Sequence, residues 1–224
     1  MSDQPVYRKP DRYKAASFRN YNDKMPSRYD TCSWMKLCQI PLLDRVVVQE
    51  LRPNIDSLSI LDVGCATGRL LEQLALAGAT RLHGADLAPR ILEVARQKLA
   101  RTGVPVELRT ADAEDRLPWD HDCFDAVTLT GVLHHFFRPR DALAEIRRVL
   151  RPGGMFVVVD VCFFFPLRQL SNLALRVVSH DGDFHFYAPG QAGNLVTDSG
   201  FEVARTRRVG LSSYLVTAHK PAIR

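Results

Sequence analysis

The sequence is poorest in the patterns that build metal and disulfide frameworks. Its 5 cysteines among 224 residues are odd in number, and Cys32, Cys38, Cys65, Cys123 and Cys162 follow no C-x-x-C or finger spacing. That argues against a disulfide scaffold or a structural zinc ribbon, and leads to an expectation of reduced thiols in a cytoplasmic setting. The 7 histidines form no H-x-x-x-H pair, so spacing points to no metal site. No uncharged stretch approaches the ~20 apolar residues that span a bilayer, and no apolar core follows the first charges. Neither a membrane span nor a secretory leader is therefore expected. Internal repeats and low-complexity segments are also missing, as is the dinucleotide fingerprint G-x-G-x-x-G.

What is present is an ordinary globular balance of 46% hydrophobic and 25% charged residues, with a net charge of +5. One domain with terminal additions is expected. The basic clusters at Arg8-Lys9 and at Arg205, Arg207 and Arg208 fit either a solvated face or an acidic partner.

The most informative stretch is I-L-D-V-G-C-A-T-G-R-L-L, from Ile60 to Leu71. Leu58–Val63 is short, apolar and closed by a glycine, which suits a strand buried on both faces of a parallel sheet. Beyond Gly68 the apolar residues Leu70, Leu71, Leu74 and Ala75 share one side of a helix. A strand, a tight glycine turn and a helix N-terminus result, a place where backbone N–H groups donate to an anionic or acceptor group of a ligand. A ligand-free turn of the same shape is the competing reading.

Around it the period alternates between strand and helix. Met35–Leu51 reads as a helix interrupted or restarted at Pro41. Leu82–Ala85 reads as a strand ending in Asp86, and Pro89 opens a helix that runs to Gly103. Val104–Leu108 reads as a third strand, Ala126–Thr130 as a fourth and Met155–Val161 as a fifth, after a helix that stops at Arg151-Pro152-Gly153-Gly154. Strands alternating with helices imply right-handed crossovers and a parallel sheet. A polar helix at Gly190–Ser199 then precedes Phe201–Thr206 and Leu211–Ala218, whose short link through Arg207–Gly210 forces an antiparallel pair.

Asp62-x-Gly64-x-x-x-Gly68, with Ala66 where the pattern usually has a middle glycine, resembles the first motif of the Rossmann-like S-adenosylmethionine-dependent methyltransferases. Asp86, Asp112-Ala113, Leu117-Pro118-Trp119 with Phe124-Asp125, and Leu150–Gly154 add to the likeness, which covers about Tyr29 to Lys220. The nearest type is the small-molecule group related to the ubiquinone and menaquinone C-methyltransferases. The resemblance implies an α/β fold with a mostly parallel seven-stranded sheet, an antiparallel C-terminal hairpin and helices on both faces. It also implies S-adenosyl-L-methionine as cofactor, with S-adenosyl-L-homocysteine as product. Gly64 and Gly68 are expected to flank the methionine moiety and Asp62 to orient its amine. Asp86, with Leu87, is expected to hold the ribose, Asp112 and Ala113 the adenine, and Thr130 to face the sulfonium end. For Asp62 a buried structural acceptor, and for Asp112 a turn or cap, are the alternatives.

Residues 1–34 are expected to cap the active site of a domain at 35–224, with Tyr21 and Tyr29 among the substrate-binding side chains. Packing on the outside of the fold is the alternative. A base helps when the acceptor is a phenol, an enol or a carbon beside a hydroxyl. His134 and His135 point about 100° apart on a helical turn; the resemblance implies that the second is a packing or capping residue, so His134 is expected in the pocket, binding substrate and acting as base, with a structural role as its alternative. Asp160 and His185 are the further catalytic candidates, and Tyr187 is expected to border the acceptor. The apolar stretch from Phe163 to Val178, including Phe164, reads as a substrate cover inserted at about 163–187. It equally fits a core helix or a homodimer contact.

Methyl transfer to O, C or N of a small hydrophobic acceptor, aromatic, quinone or natural-product in class, is thus the expected activity. An RNA-modifying enzyme is the second reading, weakened by the want of a dense basic-aromatic patch. A cofactor-binding regulatory protein without chemistry is the third.

Overall fold

A computed structural model describes residues 12–31, 40–164, 166–175 and 183–222 of the chain. The helices are α1 (Arg12–Arg19), α2 (Ile40–Leu51), α3 (Arg69–Leu76), α4 (Pro89–Leu99), α5 (Pro139–Val149), α6 (Leu167–Leu175) and α7 (Pro189–Asp198). The strands are β1 (Ser59–Val63), β2 (Arg81–Asp86), β3 (Val106–Thr110), β4 (Phe124–Thr130), β5 (Leu150–Val161), β6 (Glu202–Val209) and β7 (Ser213–His219). A π-helical turn at Asn20–Lys24 and 3₁₀ turns at Tyr29–Thr31 and Leu133–His135 complete the described elements.

The seven strands form one sheet in the order β3-β2-β1-β4-β5-β7-β6. β1 to β5 are parallel, whereas β7 runs antiparallel to both β5 and β6. Strand order reverses between β1 and β4, and the crevice beyond their carboxyl ends is where this architecture binds ligands. The expected fold is therefore found.

Strand alternation sends side chains to two cores. Ile60, Val157 and Val159 pack with Leu43 and Val47 of α2, Leu71 and Leu74 of α3, and Leu92 of α4. Leu61, Val127 and Val158 face the other way, onto Leu143 and Ile146 of α5 and Val196 of α7. Removing one such leucine side chain costs about 2–5 kcal/mol.

Element limits moved more than element identities. β3 begins two residues later than the alternation suggests, yet Val106 and Leu108 keep the expected face because a shift by two preserves the period. β5 starts early, at Leu150, since Gly153 N–H donates to Lys220 O and Lys220 N–H to Gly154 O, which extends the pairing through the expected turn. The final link is shorter than expected. Arg207 pairs with Leu215 and Arg208 with Tyr214, which leaves only residues 210–212 between the strands. α2 carries Pro41 at its second position, where a missing N–H costs no helical hydrogen bond; Met35 and Leu37 lie outside the described residues. α7 covers Pro189–Asp198, one residue earlier at each end than expected.

The basic cluster has a structural reading. Arg205, Arg207 and Arg208 sit on β6 at the sheet edge, with Arg205 and Arg207 reaching Glu50. Charges on an edge strand discourage pairing with another chain. Arg8-Lys9 lies outside the described residues. Cys65, Cys123 and Cys162 are free thiols; Cys32 and Cys38 are outside the description. Among the described residues no helix is long and apolar enough to cross a membrane.

Candidate functional site

The site is built from strand ends. Val63 at the end of β1 and Gly64 after it, Ala85 and Asp86 of β2, Ala111 and Asp112 after β3, and Gly131 and Val132 after β4 converge on one cleft. It holds about 790 Å³ of empty space, counting the part open to solvent, within the usual range for a small-molecule site.

The turn after β1 explains its own sequence. Gly64 lines the cleft at φ +73°, and a Cβ there would run into the side chain of Val132. Gly68, at φ +72°, is the residue from which α3 starts; it does not line the cleft among the described residues. Between them Ala66 is left-handed at φ +46° and also lines the cleft. A non-glycine residue in that region costs about 1–2 kcal/mol.

Asp86 secures this turn. One carboxylate oxygen accepts from Ala66 N–H at 2.9 Å and the other from Ala88 N–H, at the start of α4, also at 2.9 Å. Burial pushes its carboxyl above the ordinary value, partly offset by those backbone donors. Leu87 lines the cleft beside it.

Asp62 sits one residue back from the lining. It is buried and accepts from Thr128 Oγ1 at 2.7 Å. Burial pushes its carboxyl up to about 7; Thr128's hydrogen bond opposes this, while the charges of Asp44 and Asp86 add to it.

Asp112 and Ala113 both line the cleft. Lys14 of α1 reaches Asp112 at 2.5 Å and Glu114 at 2.8 Å. Burial lowers the lysine's proton affinity, but its bonds to the two acids outweigh this and raise it. The segment before α2 is thereby tied across the cleft. Lys14, Phe18, Tyr21 and Tyr29 all line it, and Asp30 accepts from Thr67 Oγ1 at 2.7 Å and from Lys98 at 2.5 Å. Burial raises the Tyr29 hydroxyl well above its ordinary value.

The histidine pair departs from expectation. Asp160, fully buried at the end of β5, accepts from the His134 backbone N–H at 3.0 Å and lies 2.7 Å from its Nδ1. That draws His134 beneath the cleft, where its ring stacks on Phe186. His135 lines the cleft instead, with Nε2 3.0 Å from the Tyr21 hydroxyl. Burial lowers the proton affinity of His134, but the charge and hydrogen bond of Asp160, with Asp183, outweigh it and raise the value.

Other expected residues also lie off the cleft. Thr130 ends β4 as expected but does not line the cleft; the next two residues, Gly131 and Val132, do so where the chain turns away from the strand. Phe164 is 61% exposed, since Phe163 takes the inward place against Phe186. His185 donates its backbone N–H to His134 O at 3.1 Å and packs its ring on Tyr187. Tyr187 packs against the second core, and burial, with the Asp160 charge, pushes its hydroxyl up to about 12. α6 presents Leu167, Leu170 and Leu173 to solvent, while Arg176 and Val178 of the expected cover lie outside the described residues.

Sequence reasoning missed Lys14, Phe18, Val132, His135 and Phe136 as lining residues. Only His135 carried a usable signal, its place beside His134 just past a strand end.

A methyltransferase domain family matches residues 61–158. The chain is 30% identical over 174 residues to a ubiquinone biosynthesis O-methyltransferase of Pseudomonas syringae pv. tomato, covering 75% of this chain and 74% of that protein. The chain belongs to the class I S-adenosylmethionine-dependent methyltransferases. Its cofactor is S-adenosylmethionine.

This methyltransferase is also 37% identical over 138 residues to a demethylmenaquinone methyltransferase of Clavibacter sepedonicus, where it spans 62% of its own length and 55% of the relative's. Two solved structures share the fold. A magnesium protoporphyrin IX methyltransferase from Synechocystis, solved with S-adenosylhomocysteine, gives a TM-score of 0.72 at 18% identity, over 92% of this chain and 99% of that one. An S-adenosylmethionine-dependent methyltransferase from Aquifex aeolicus gives 0.68 at 20% identity, over 87% and 98%. The cleft fits the cofactor: a glycine cradle that a Cβ would fill lies beside an acid at the end of β2.

Proposed function

We propose that this methyltransferase methylates an oxygen or carbon of a small hydrophobic acceptor, aromatic or quinone-like in class. The observation that carries this is the aromatic roof. Phe18, Tyr21 and Tyr29 from the N-terminal segment meet Phe136 and His135 over the strand ends, which suits a flat apolar ring with one polar edge. The relatives named for ubiquinone and menaquinone synthesis support the same class.

Bound S-adenosylmethionine supplies an already activated methyl group. The protein's work is then alignment and exclusion of water. Asp86 would hold the ribose, since its carboxylate has acceptor capacity beyond the two backbone donors. Asp112 and Ala113 would meet the adenine, which requires Lys14 to share Asp112. Asp62 would face the cofactor's amine. Tyr21, aligned by His135, would orient the acceptor's polar edge. The roof would keep water from the transfer.

The test is incubation with methyl-labelled S-adenosylmethionine and a panel of phenols, hydroquinones, amines and RNA. Label in the phenol or hydroquinone fraction is the expected result. Label in RNA with steep salt dependence would replace this reading by the RNA-modifying one. Tight S-adenosylhomocysteine binding with no label anywhere would favour the non-catalytic one.

A further inference from the structure

Beside the cleft, His134, His135 and Asp183 bring three ligand atoms within 4.8 Å of one another. Asp183 Oδ1 lies 3.2 Å from His135 Nδ1 and 3.6 Å from His134 Nε2. Ligand atoms at about 2.1 Å from a tetrahedral zinc are about 3.4 Å apart, so both spacings match edges of such a site. We propose that these three side chains bind a divalent transition cation, of the zinc, cobalt or iron(II) type, at the edge of the cleft.

The surroundings are those of a prepared site. Metal-bound imidazoles usually engage a second partner through the far nitrogen, which fixes the ring. Here His134 Nδ1 meets the buried Asp160 carboxylate at 2.7 Å, leaving Nε2 toward the cluster. His135 does the reverse: its Nε2 meets Tyr21 at 3.0 Å and its Nδ1 faces Asp183. The third ligand is held by backbone. Phe184 and His185 donate N–H bonds to His134 O at 2.8 and 3.1 Å, pinning the segment that carries Asp183 against the histidine turn. Two imidazoles and one carboxylate form a borderline-soft set that selects transition cations over magnesium or calcium.

Sequence spacing does not reveal this set, because H-x-x-x-H rules describe one face of a helix. Here adjacent residues of a 3₁₀ turn converge at their ring ends, with centroids 4.0 Å apart. Because His135 also lines the cleft, the cation's remaining position would take water or an acceptor oxygen. That use rests on the methyl-transfer reading above; the cation site itself rests on the side-chain geometry.

The experiment titrates untagged, chelator-treated full-length protein with cobalt(II), followed by its visible ligand-field bands, with S-adenosylhomocysteine binding measured in parallel. One cobalt per chain is expected. Asp183→Asn and His135→Gln should each weaken it about 100-fold or more, and Asp160→Asn about 10–100-fold, because Asp160 fixes the His134 ring through Nδ1. Asp183 is on the surface side of the cluster, so its variant should keep the fold and S-adenosylhomocysteine affinity. No saturable cobalt binding by protein that binds S-adenosylhomocysteine, or equal binding by Asp183→Asn and His135→Gln, would overturn the site. Cobalt binding without any S-adenosylhomocysteine binding would support the site and count against the functional reading instead.

Discussion

Asp62 offers a measurable consequence of burying an acid beneath a ligand site. In the folded, cofactor-free protein its carboxyl is pushed up to about 7 from an ordinary 3.8, chiefly by burial. Between those values the folded state holds a proton that the unfolded chain has lost, so stability falls as pH rises through this window. A difference of about 3 units at about 1.4 kcal/mol each gives a loss of about 4 kcal/mol, complete once the pH passes about 7. Asp62→Asn keeps an acceptor for the Thr128 hydroxyl but cannot ionise, so it lacks this slope. Urea unfolding of both proteins without cofactor, at intervals from pH 4 to 8, is the assay. The variant should gain on the native protein by about 4 kcal/mol from the acid to the neutral end. Parallel curves would refute the placement of Asp62 as a desolvated, nearly isolated acid.

Asp86→Ala should weaken S-adenosylmethionine binding by about 1.5–3 kcal/mol in calorimetry, the worth of charged hydrogen bonds; unchanged affinity would remove Asp86 from the ribose. Ala66→Gly relieves a left-handed alanine and should raise unfolding stability by up to about 1 kcal/mol, where a glycine elsewhere would lower it; a lower midpoint would count against the turn's backbone. Lys14→Met leaves Asp112 and Glu114 without their shared cation, and should cost about 1–3 kcal/mol and speed proteolysis within α1. Equal cleavage rates would show that Lys14 does not tie the segment down.

How far the sequence could be read depended on the range of each interaction. The change of period at Gly68 announced the turn, because alternation by two and by 3.6 is fixed by backbone geometry alone. The fold followed from the same source, since strands joined by helices must lie parallel and β6 and β7, joined by three residues, cannot. Asp86 was legible for a related reason: an acid at the end of β2 has only the neighbouring turn to face.

The histidine pair was not legible in this way. A 100° separation predicts that His134 and His135 diverge, whereas their ring centroids lie 4.0 Å apart on a 3₁₀ turn; which ring enters the cleft is decided by Asp160, a buried acid 26 residues later whose position depends on β5 packing beside β4. Likewise Lys14 and Asp112 meet across 98 residues, and Phe163 rather than Phe164 turns inward because Phe186 is there to receive it.

The sequence by itself determined the sheet, the glycine turn and the cofactor class, because these depend on local spacing along the chain. The tertiary structure alone decided which imidazole reaches the cleft, that Lys14 crosses it to Asp112, and that Asp183 stands against two histidines. Those outcomes depend on how separately formed elements dock, and no short-range pattern encodes that.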